Sequence, residues 1–245
     1  MKSCAICQSS AVRSVQSLYD DRYGAPGEYV LLSCRACGHQ FLDVELTDDE
    51  IAGLYEKYYP RALLNAEQYV PYPEVSSIQG WLDGIGSFAH YWVPREVKVL
   101  DIGCGAGQAL GYHQNRGCDA HGVDADPNSE RIAKLMGYQV RIGLFNSGMY
   151  DADFFDYVTL DQVIEHFIDP VRALTDVARV LKPGGVVIVA TPNVQGWGAA
   201  VFRRRWINWH APYHLHHFSR RSMELACART GLRVLNRKTI TCSEW

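Results

Sequence analysis

Hydrophobic and polar residues alternate through the second half of the chain in a pattern that predicts a repeat of strands and helices. Short apolar runs predict strands over 97–101, 120–124, 138–142, 157–160, 186–191 and 233–241. Helical spacing of apolar residues predicts helices near 107–116, 127–136, 169–181 and 220–230. Because strands that alternate with helices pair in parallel, the pattern predicts an α/β fold, with a mostly parallel sheet and helices on both faces.

Ahead of this repeat, residues 44–70 have the pattern of a helix. Thr47 and Glu50 stand three residues apart, which is typical of a capping box at a helix start. Apolar side chains then follow at the spacing of one helix face: Ile51, Leu54, Tyr55 and Tyr58. Pro60 is predicted to end this helix. A second helix is predicted from about residue 76 to residue 92, before Pro94.

The first forty residues contain too little apolar material for a core of their own, and a unit of about 40 residues usually needs a cross-link. They contain two Cys-x-x-Cys pairs with 26 residues between the pairs: Cys4, Cys7, Cys34 and Cys37. Four thiolates complete a tetrahedral zinc site and leave no position open for chemistry, so the spacing predicts a structural zinc. The alternatives are four unrelated thiols, an iron–sulfur cluster or a redox dithiol. We predict a zinc-binding module over 1–45, helices over 46–93 and a third domain over 94–245.

Composition and charge exclude several classes of protein. With 47% hydrophobic and 21% charged residues, the 245-residue chain has the composition of a folded globular protein. Its net charge of −3 weighs against a nucleic-acid binder. No apolar run approaches the roughly 20 residues of a membrane span, and no apolar stretch follows the first methionine as in a signal peptide. We therefore expect a cytoplasmic protein without a membrane span.

A glycine-rich loop after the first strand of the repeat is the main chemical feature. Such a loop lets the backbone approach a ligand closely, with the N–H groups of the next helix facing it. Gln108 stands where a dinucleotide fingerprint requires glycine. Asp124 ends the next strand, where an acid can accept both hydroxyls of a ribose. Asp126 is better placed to cap the following helix, which leaves Asp124 for a ligand. The loop places an acid two residues before three alternating glycines: Asp101, Gly103, Gly105 and Gly107.

In this combination, residues 97–241 resemble a class I S-adenosylmethionine-dependent methyltransferase. The resemblance rests on the glycine loop, Asp124, the segment 155–166, the Lys-Pro-Gly-Gly run at 182–185 and the Thr-Pro-Asn at 191–193. It implies a Rossmann-like sheet of order 3-2-1-4-5-7-6, with S-adenosylmethionine over the carboxyl ends of the strands. It also implies the residues that bind this cofactor: Asp101, Gly103, Cys104, Gly105, Gly107, Asp124, Ala125, Asp161 and Gln162. Only four residues follow the sixth predicted strand, so we expect a shortened chain or a modified sheet edge.

Two histidines are candidate bases for methyl transfer. S-adenosylmethionine supplies an activated methyl group, so the protein must align the acceptor and, where needed, remove one proton. His214 lies in 212–219, which matches a segment that lies over the acceptor site in related methyltransferases, and His166 follows the fourth predicted strand of the repeat. Some family members bind a divalent metal through Glu-x-x-Glu-His and a later histidine. Here Gln162 holds the first position, and an amide is a poor substitute for a carboxylate on a hard cation.

The sequence therefore predicts a methyltransferase that uses S-adenosylmethionine and zinc. The cysteine pairs, with Gly38 and His39 after the second, resemble the front end of bacterial methyltransferases of sugar and small-molecule pathways. A stretch from 177 to 223 has no acidic residue, and Arg203, Arg204 and Arg205 lie within it beside Trp206 and Trp209. We predict a small-molecule acceptor: a sugar, a nucleotide-sugar or another phosphorylated metabolite.

Two other functions stay open. An RNA methyltransferase with a zinc module would also use the Arg/Trp stretch, although the predicted zinc region is not basic. A non-catalytic S-adenosylmethionine-binding protein would keep the fold without turnover, and the intact glycine loop argues against it. Nothing in the sequence indicates an oligomeric state.

Overall fold

The structure, a computed structural model, describes residues 2–58, 69–75, 78, 80 and 84–240. The chain divides into two compact units. The first, called here the cysteine unit, comprises Met1–Ala62, Ile164–Leu174 and Thr191–Thr239. The second, the glycine-loop unit, comprises Leu63–Val163, Thr175–Ala190 and Ile240–Trp245. The three domains predicted over 1–45, 46–93 and 94–245 stay a prediction.

The described strands and helices, numbered in chain order, have the following bounds. The strands are β1 (Val12–Leu18), β2 (Tyr29–Cys34), β3 (Gln40–Leu42), β4 (Lys98–Ile102), β5 (Asp119–Asp124), β6 (Gln139–Ile142), β7 (Phe155–Asp161), β8 (Leu181–Ala190) and β9 (His216–His217). The helices are α1 (Asp48–Lys57), α2 (Gln108–Asn115), α3 (Asn128–Met136), α4 (Pro170–Val180), α5 (Trp197–Phe202) and α6 (Arg220–Arg229). Among the described residues, no helix is long and apolar enough to cross a bilayer.

Five parallel strands form the sheet of the glycine-loop unit, in the order β6-β5-β4-β7-β8. This confirms the first five predicted strands and their order. Helix α2 packs against β4 and β5, and α3 packs against β6. The core contains apolar residues from the strands and from α2, among them Val99, Leu110 and Ala120. In a parallel sheet all strands have their carboxyl ends on the same side. The glycine loop follows β4 on that side.

One predicted strand is wrong, and one predicted helix is shorter than predicted. Residues 233–240 form no strand, because their apolar residues are interrupted by charged ones and all of them are exposed; among the described strands, β8 is therefore the sheet edge. The predicted second helix does not continue through 84–92, which forms two short 3₁₀ turns, Ile85–Ser87 and Ala89–Trp92. Gly84 has a left-handed φ of 68°, a conformation that ends a helix. Most of the region before it lies outside the described residues.

An antiparallel sheet of order β1-β2-β3-β9 forms the centre of the cysteine unit. Its fourth strand comes from the far end of the chain, where Phe41 pairs with His216 and Gln40 with His217. The core that the first forty residues lack is supplied by Trp206 and Trp209, which are buried with residues of β1, β2 and β3. The sequence predicts that these two tryptophans belong to a basic patch, which is either a site for a phosphate-bearing acceptor or a solvated face. In the structure they are core residues, because burying a large ring stabilises the fold.

Helix α1 begins where the sequence predicts. Thr47 accepts a hydrogen bond from the backbone of Glu50, and the Glu50 side chain accepts one from the backbone of Thr47, so the capping box is complete. Ile51 packs against the core of the cysteine unit. The predicted end of the helix at Pro60 lies outside the described residues.

Candidate functional site

Two glycines make the loop after β4 possible. Gly103 has a φ of 73°, and a Cβ added there would stand 2.4 Å from Val163 Cγ2. Gly105 has a φ of 51°, but no described atom lies within 4 Å of the position of its Cβ. Both glycines are exposed. The loop therefore needs glycine at 103 to form, and leaves open space at 105 into which a ligand can approach the backbone.

Asp124 is fixed beside this open space. Its Oδ2 accepts a hydrogen bond from the Gly105 N–H at 2.7 Å, and its Oδ1 accepts one from the Asp126 N–H at 2.7 Å. Burial raises the pKa of this carboxyl, and the two backbone hydrogen bonds oppose the rise. The Ser129 side chain adds a third hydrogen bond. Of the roughly four acceptor sites of a carboxylate, about one is left for a ribose hydroxyl. Ala125 is exposed next to it.

Asp101 lies buried beneath the loop. Its Oδ1 accepts a hydrogen bond from the Thr159 hydroxyl at 2.6 Å. Burial, together with the nearby carboxylates of Asp161 and Asp124, raises the pKa of Asp101 to about 7, although the Thr159 hydrogen bond opposes the rise. A cationic group bound above the loop would offset this repulsion. The amino group and the sulfonium of S-adenosylmethionine are two such cations.

Because of this raised pKa, we expect Asp101→Asn to stabilise the cofactor-free protein in a pH-dependent way. The pKa is about 7 in the folded protein and about 4 in an unfolded chain, so the folded state binds more protons between these values. Stability is therefore lost as pH rises from about 4 to about 7. Relative to wild type, the variant should gain about 2–4 kcal/mol in free energy of unfolding at pH 8 and almost nothing at pH 4. Urea titrations across this range measure the gain; one that does not change with pH would contradict the assignment.

Asp161 provides a buried acceptor at the end of β7. Its Oδ2 accepts a hydrogen bond from the Ala89 N–H at 2.8 Å. Its Oδ1 is buried and has no hydrogen-bond partner among the described residues. A buried carboxylate oxygen without a partner is costly unless a ligand supplies the donor, so this atom fits a polar cofactor. Gln162 follows with a φ of 56°, and its N–H donates to the Ala190 carbonyl at 2.8 Å.

The other two predicted residues of the loop, Cys104 and Gly107, both have defined contacts. Cys104 is buried, and its Sγ would stand 2.7 Å from a Cβ added at Gly122. Gly107 precedes α2, and its carbonyl accepts a hydrogen bond from the Tyr69 hydroxyl at 2.7 Å. The sequence did not indicate Tyr69 or Thr159, because a single hydroxyl carries no motif. The cofactor-binding roles of all these residues stay predictions.

The four predicted metal ligands come together in the cysteine unit. The sulfurs of Cys4, Cys7, Cys34 and Cys37 all lie within 4.8 Å of one another. The Sγ atoms of Cys4 and Cys37 are 3.7 Å apart, and those of Cys7 and Cys34 are 3.5 Å apart. Zinc–sulfur bonds of about 2.3 Å in a tetrahedron separate the sulfurs by about 3.8 Å. The cluster therefore has the dimensions of a four-thiolate zinc site.

The backbone repeats the same turn at both cysteine pairs. The Gln8 N–H donates to the Cys4 carbonyl at 2.8 Å, and the Gly38 N–H donates to the Cys34 carbonyl at 2.9 Å. Both donors are left-handed, with φ of 61° at Gln8 and 74° at Gly38. A left-handed non-glycine residue is uncommon. Its match with Gly38 indicates two equivalent turns that aim sulfurs at one point.

A second polar cluster in the cysteine unit contains both candidate bases. One ligand atom from each of Glu165, His166 and His214 lies within 4.8 Å of the others. The rings of His166 and His214 pack edge to face, with centroids 4.7 Å apart. Glu165 Oε2 accepts a hydrogen bond from the Thr191 hydroxyl at 2.9 Å. The structure therefore places Glu165 next to both candidate bases.

A backbone carbonyl fixes the proton position on His214. His214 Nδ1 lies 2.9 Å from the Asn208 carbonyl. A carbonyl only accepts, so Nδ1 of His214 carries the proton when the ring is neutral, and its Nε2 has a lone pair. His166 Nδ1 lies between two groups, 2.9 Å from the Tyr213 carbonyl and 2.7 Å from the Tyr55 hydroxyl. Burial lowers the pKa of His214 well below 6.5, and the neighbouring histidines lower it further. His214 is therefore neutral at pH 7, with a lone pair at Nε2.

The comparison with known protein families decides the identity of this fold. A family model described as a methyltransferase domain matches residues 50–236. The chain belongs to the class I S-adenosylmethionine-dependent methyltransferases. The match covers both the glycine loop and the segment that carries His166 and His214.

The alignments of this methyltransferase with individual relatives cover only part of each chain. The ubiquinone biosynthesis O-methyltransferase of Cereibacter sphaeroides strain ATCC 17025 is 32% identical over 132 residues, which are 51% of this chain and 53% of that protein. The protein of the same name from Brucella anthropi is 26% identical over 157 residues, 59% of this chain and 63% of that one. The methyltransferase thus spans about half to three fifths of these relatives.

Among solved structures, a chain from the complex between the Haloferax volcanii Trm112 methyltransferase activator and a methyltransferase is similar. The TM-score is 0.55 at 20% identity, covering 81% of this chain and 79% of that one. At this identity the likeness shows the fold alone.

Proposed function

We propose that this methyltransferase transfers the methyl group of S-adenosylmethionine to a hydroxyl of a small molecule. One observation carries the proposal: Asp124 is fixed by backbone hydrogen bonds beside an exposed glycine loop that has room for a ligand. The names of the relatives, which are O-methyltransferases of ubiquinone biosynthesis, support a small acceptor with a hydroxyl. The predicted sugar, nucleotide-sugar or phosphorylated acceptor stays a prediction.

The glycine-loop unit would hold the cofactor through groups of different character. Asp124 would accept a ribose hydroxyl. The buried Asp101 and the unpartnered Oδ1 of Asp161 would face its cationic amino-acid part. When bound, S-adenosylmethionine would supply an electrophilic methyl group on a sulfonium, whose leaving group is the neutral thioether of S-adenosylhomocysteine.

We propose His214 as the group that takes the proton from the acceptor hydroxyl, with His166 beside it. Its Nε2 lone pair is fixed by the hydrogen bond at Nδ1, which is the arrangement that orients a histidine base. His166 contacts the Tyr55 hydroxyl at 2.7 Å through Nδ1, so its ring is also held in place. A base with a fixed lone pair accelerates a step that releases a proton.

We further propose that the four cysteines bind one structural zinc ion. Two equivalent turns and sulfur separations near 3.8 Å support this reading, as the tetrahedral geometry requires. Burial raises the pKa of Cys4 to about 11, so a cation is needed to hold this thiol ionised at neutral pH. Elemental analysis of the purified protein is expected to find one zinc per chain.

Formation of S-adenosylhomocysteine in the presence of candidate acceptors tests the proposed activity. The acceptors are adjacent-hydroxyl phenols, nucleotide-sugars and transfer RNA. Turnover is expected with a small hydroxylated compound. Turnover with RNA alone would support the RNA alternative, and cofactor binding without any turnover would support the non-catalytic one. Adding Mg²⁺ after chelation shows whether the Glu165–His166–His214 cluster needs a divalent cation.

A further inference from the structure

Helix α5 in the cysteine unit buries a small residue and exposes its large apolar ones, the reverse of an ordinary surface helix. It buries the small Ala199, which packs in the core with Trp206. It exposes its large residues: Trp197 is 57% exposed, Val201 62% and Phe202 52%. A surface helix normally turns its large apolar side chains to the core. Burial in the cysteine unit therefore does not explain the apolar residues of α5.

The exposed apolar residues of α5 form one patch. Trp197 and Val201 are four residues apart and lie on the same face of the helix. The rings of Trp197 and Phe202 have centroids 6.1 Å apart. Ile207, five residues further along the chain, is 44% exposed. Single exposed apolar residues are ordinary, but contiguous ones mark interaction sites.

Three arginines follow the patch directly. Arg203, Arg204 and Arg205 are all exposed, and none forms an ion pair with a carboxylate in the part of the chain that is described. No acidic residue occurs between 177 and 223. We call the patch and these arginines the Trp–Arg surface. It combines exposed apolar side chains with an unbalanced positive charge.

We propose that the Trp–Arg surface docks on the surface of an anionic phospholipid bilayer. The interface of a bilayer accepts aromatic and aliphatic side chains at the acyl boundary and arginines among the anionic headgroups. RNA is the other polyanion that arginines and aromatic rings bind, through stacking of bases. Val201 and Ile207 have no ring to stack, so the aliphatic part of the surface fits lipid and not RNA. The protein would lie on the bilayer without crossing it.

Flotation of the full-length protein with vesicles tests this proposal. The probes are vesicles of phosphatidylcholine alone and of phosphatidylcholine with 30% phosphatidylglycerol. Binding is expected to the anionic vesicles, and it should weaken as salt rises, because the charge attraction is screened. Arg204→Ala combined with Arg205→Ala should reduce partitioning about 25-fold, since each arginine near the surface contributes about fivefold. Trp197→Ser combined with Phe202→Ser should reduce it at least about tenfold.

A matched variant separates the surface from general apolar exposure. Leu135 is 62% exposed, like Val201, but it lies on α3 of the glycine-loop unit, so Leu135→Ser should leave partitioning unchanged. All variants should keep the thermal unfolding midpoint of the wild type. The proposal is overturned if the wild type does not float with anionic vesicles, or if Leu135→Ser weakens flotation as much as the surface variants. It is also overturned if the arginine variants lose binding to a single-stranded RNA but float as well as the wild type.

Discussion

Substitution of Cys34 by serine is expected to release the proposed zinc and to unfold much of the cysteine unit, far beyond the first forty residues. Structural zinc contributes about 10–16 kcal/mol to folding in small metal-bound modules, which is comparable to the total stability of a domain, about 5–15 kcal/mol. Ser219 donates a hydrogen bond to the Cys37 carbonyl at 2.7 Å, and Arg229 donates to the Ala5 and Ile6 carbonyls. Loss of the metal should therefore also loosen β9 and α6.

Hydrogen exchange measures this effect segment by segment. Protection should fall over 2–42 and over 210–229, while β4 to β8 keep theirs because the glycine-loop unit has its own core. Cys118→Ser is the matched control: Cys118 is buried in that core and lies outside the metal cluster. It should keep both the zinc and the exchange pattern. Full zinc retention in Cys34→Ser would refute the four-cysteine site, and unchanged protection over 210–229 would refute its coupling to the histidine segment.

Substitution of His214 by alanine should lower turnover by about 10²–10⁴, the usual effect of losing a general base. The affinity for S-adenosylhomocysteine should change little, because His214 is assigned no cofactor contact. The test therefore compares kcat with the dissociation constant of S-adenosylhomocysteine. If His214 is a base, kcat falls and the dissociation constant stays unchanged.

His217→Phe is the matched control for this substitution. His217 is buried three residues further along the same segment, and neither of its ring nitrogens has a hydrogen-bond partner among the described residues. Its ring packs against Trp209, with centroids 4.9 Å apart, so a phenyl ring can replace it. Turnover should survive in this variant. Parallel losses of turnover and of cofactor affinity in His214→Ala would instead identify His214 as a structural residue.

Local sequence signals account for most of the glycine-loop unit. The five parallel strands, α2 and α3 follow from runs of apolar residues and from glycine positions, which act over a few residues. The sixth predicted strand fails for the same reason, because Val234 and Leu235 give a short apolar run while tertiary packing leaves them exposed. Residues with high β-propensity do not form a strand unless packing buries them.

The cysteine unit could be predicted only in part. The cysteine spacing predicts the metal cluster. The pairing of Gln40 with His217, in contrast, joins residues about 180 positions apart through a strand of two residues. No periodicity exists in so short a strand, so its partner cannot be read from the pattern. The same contact explains why Trp206 and Trp209 are core residues: they pack with strands from the other end of the chain.

Calorimetric titration with S-adenosylhomocysteine tests the central claim most directly. The account expects one binding site per chain. Asp124→Ala should weaken binding by about 1.5–3 kcal/mol, the scale of charged hydrogen bonds. Asp126→Asn, two residues away, should bind as the wild type does, because the Asp126 side chain accepts a hydrogen bond from the Asn128 N–H. The predicted cap role of Asp126 is wrong, since the N-cap of α3 is Pro127. Absence of binding, or equal affinity in the wild type and Asp124→Ala, would contradict the cofactor site at the glycine loop.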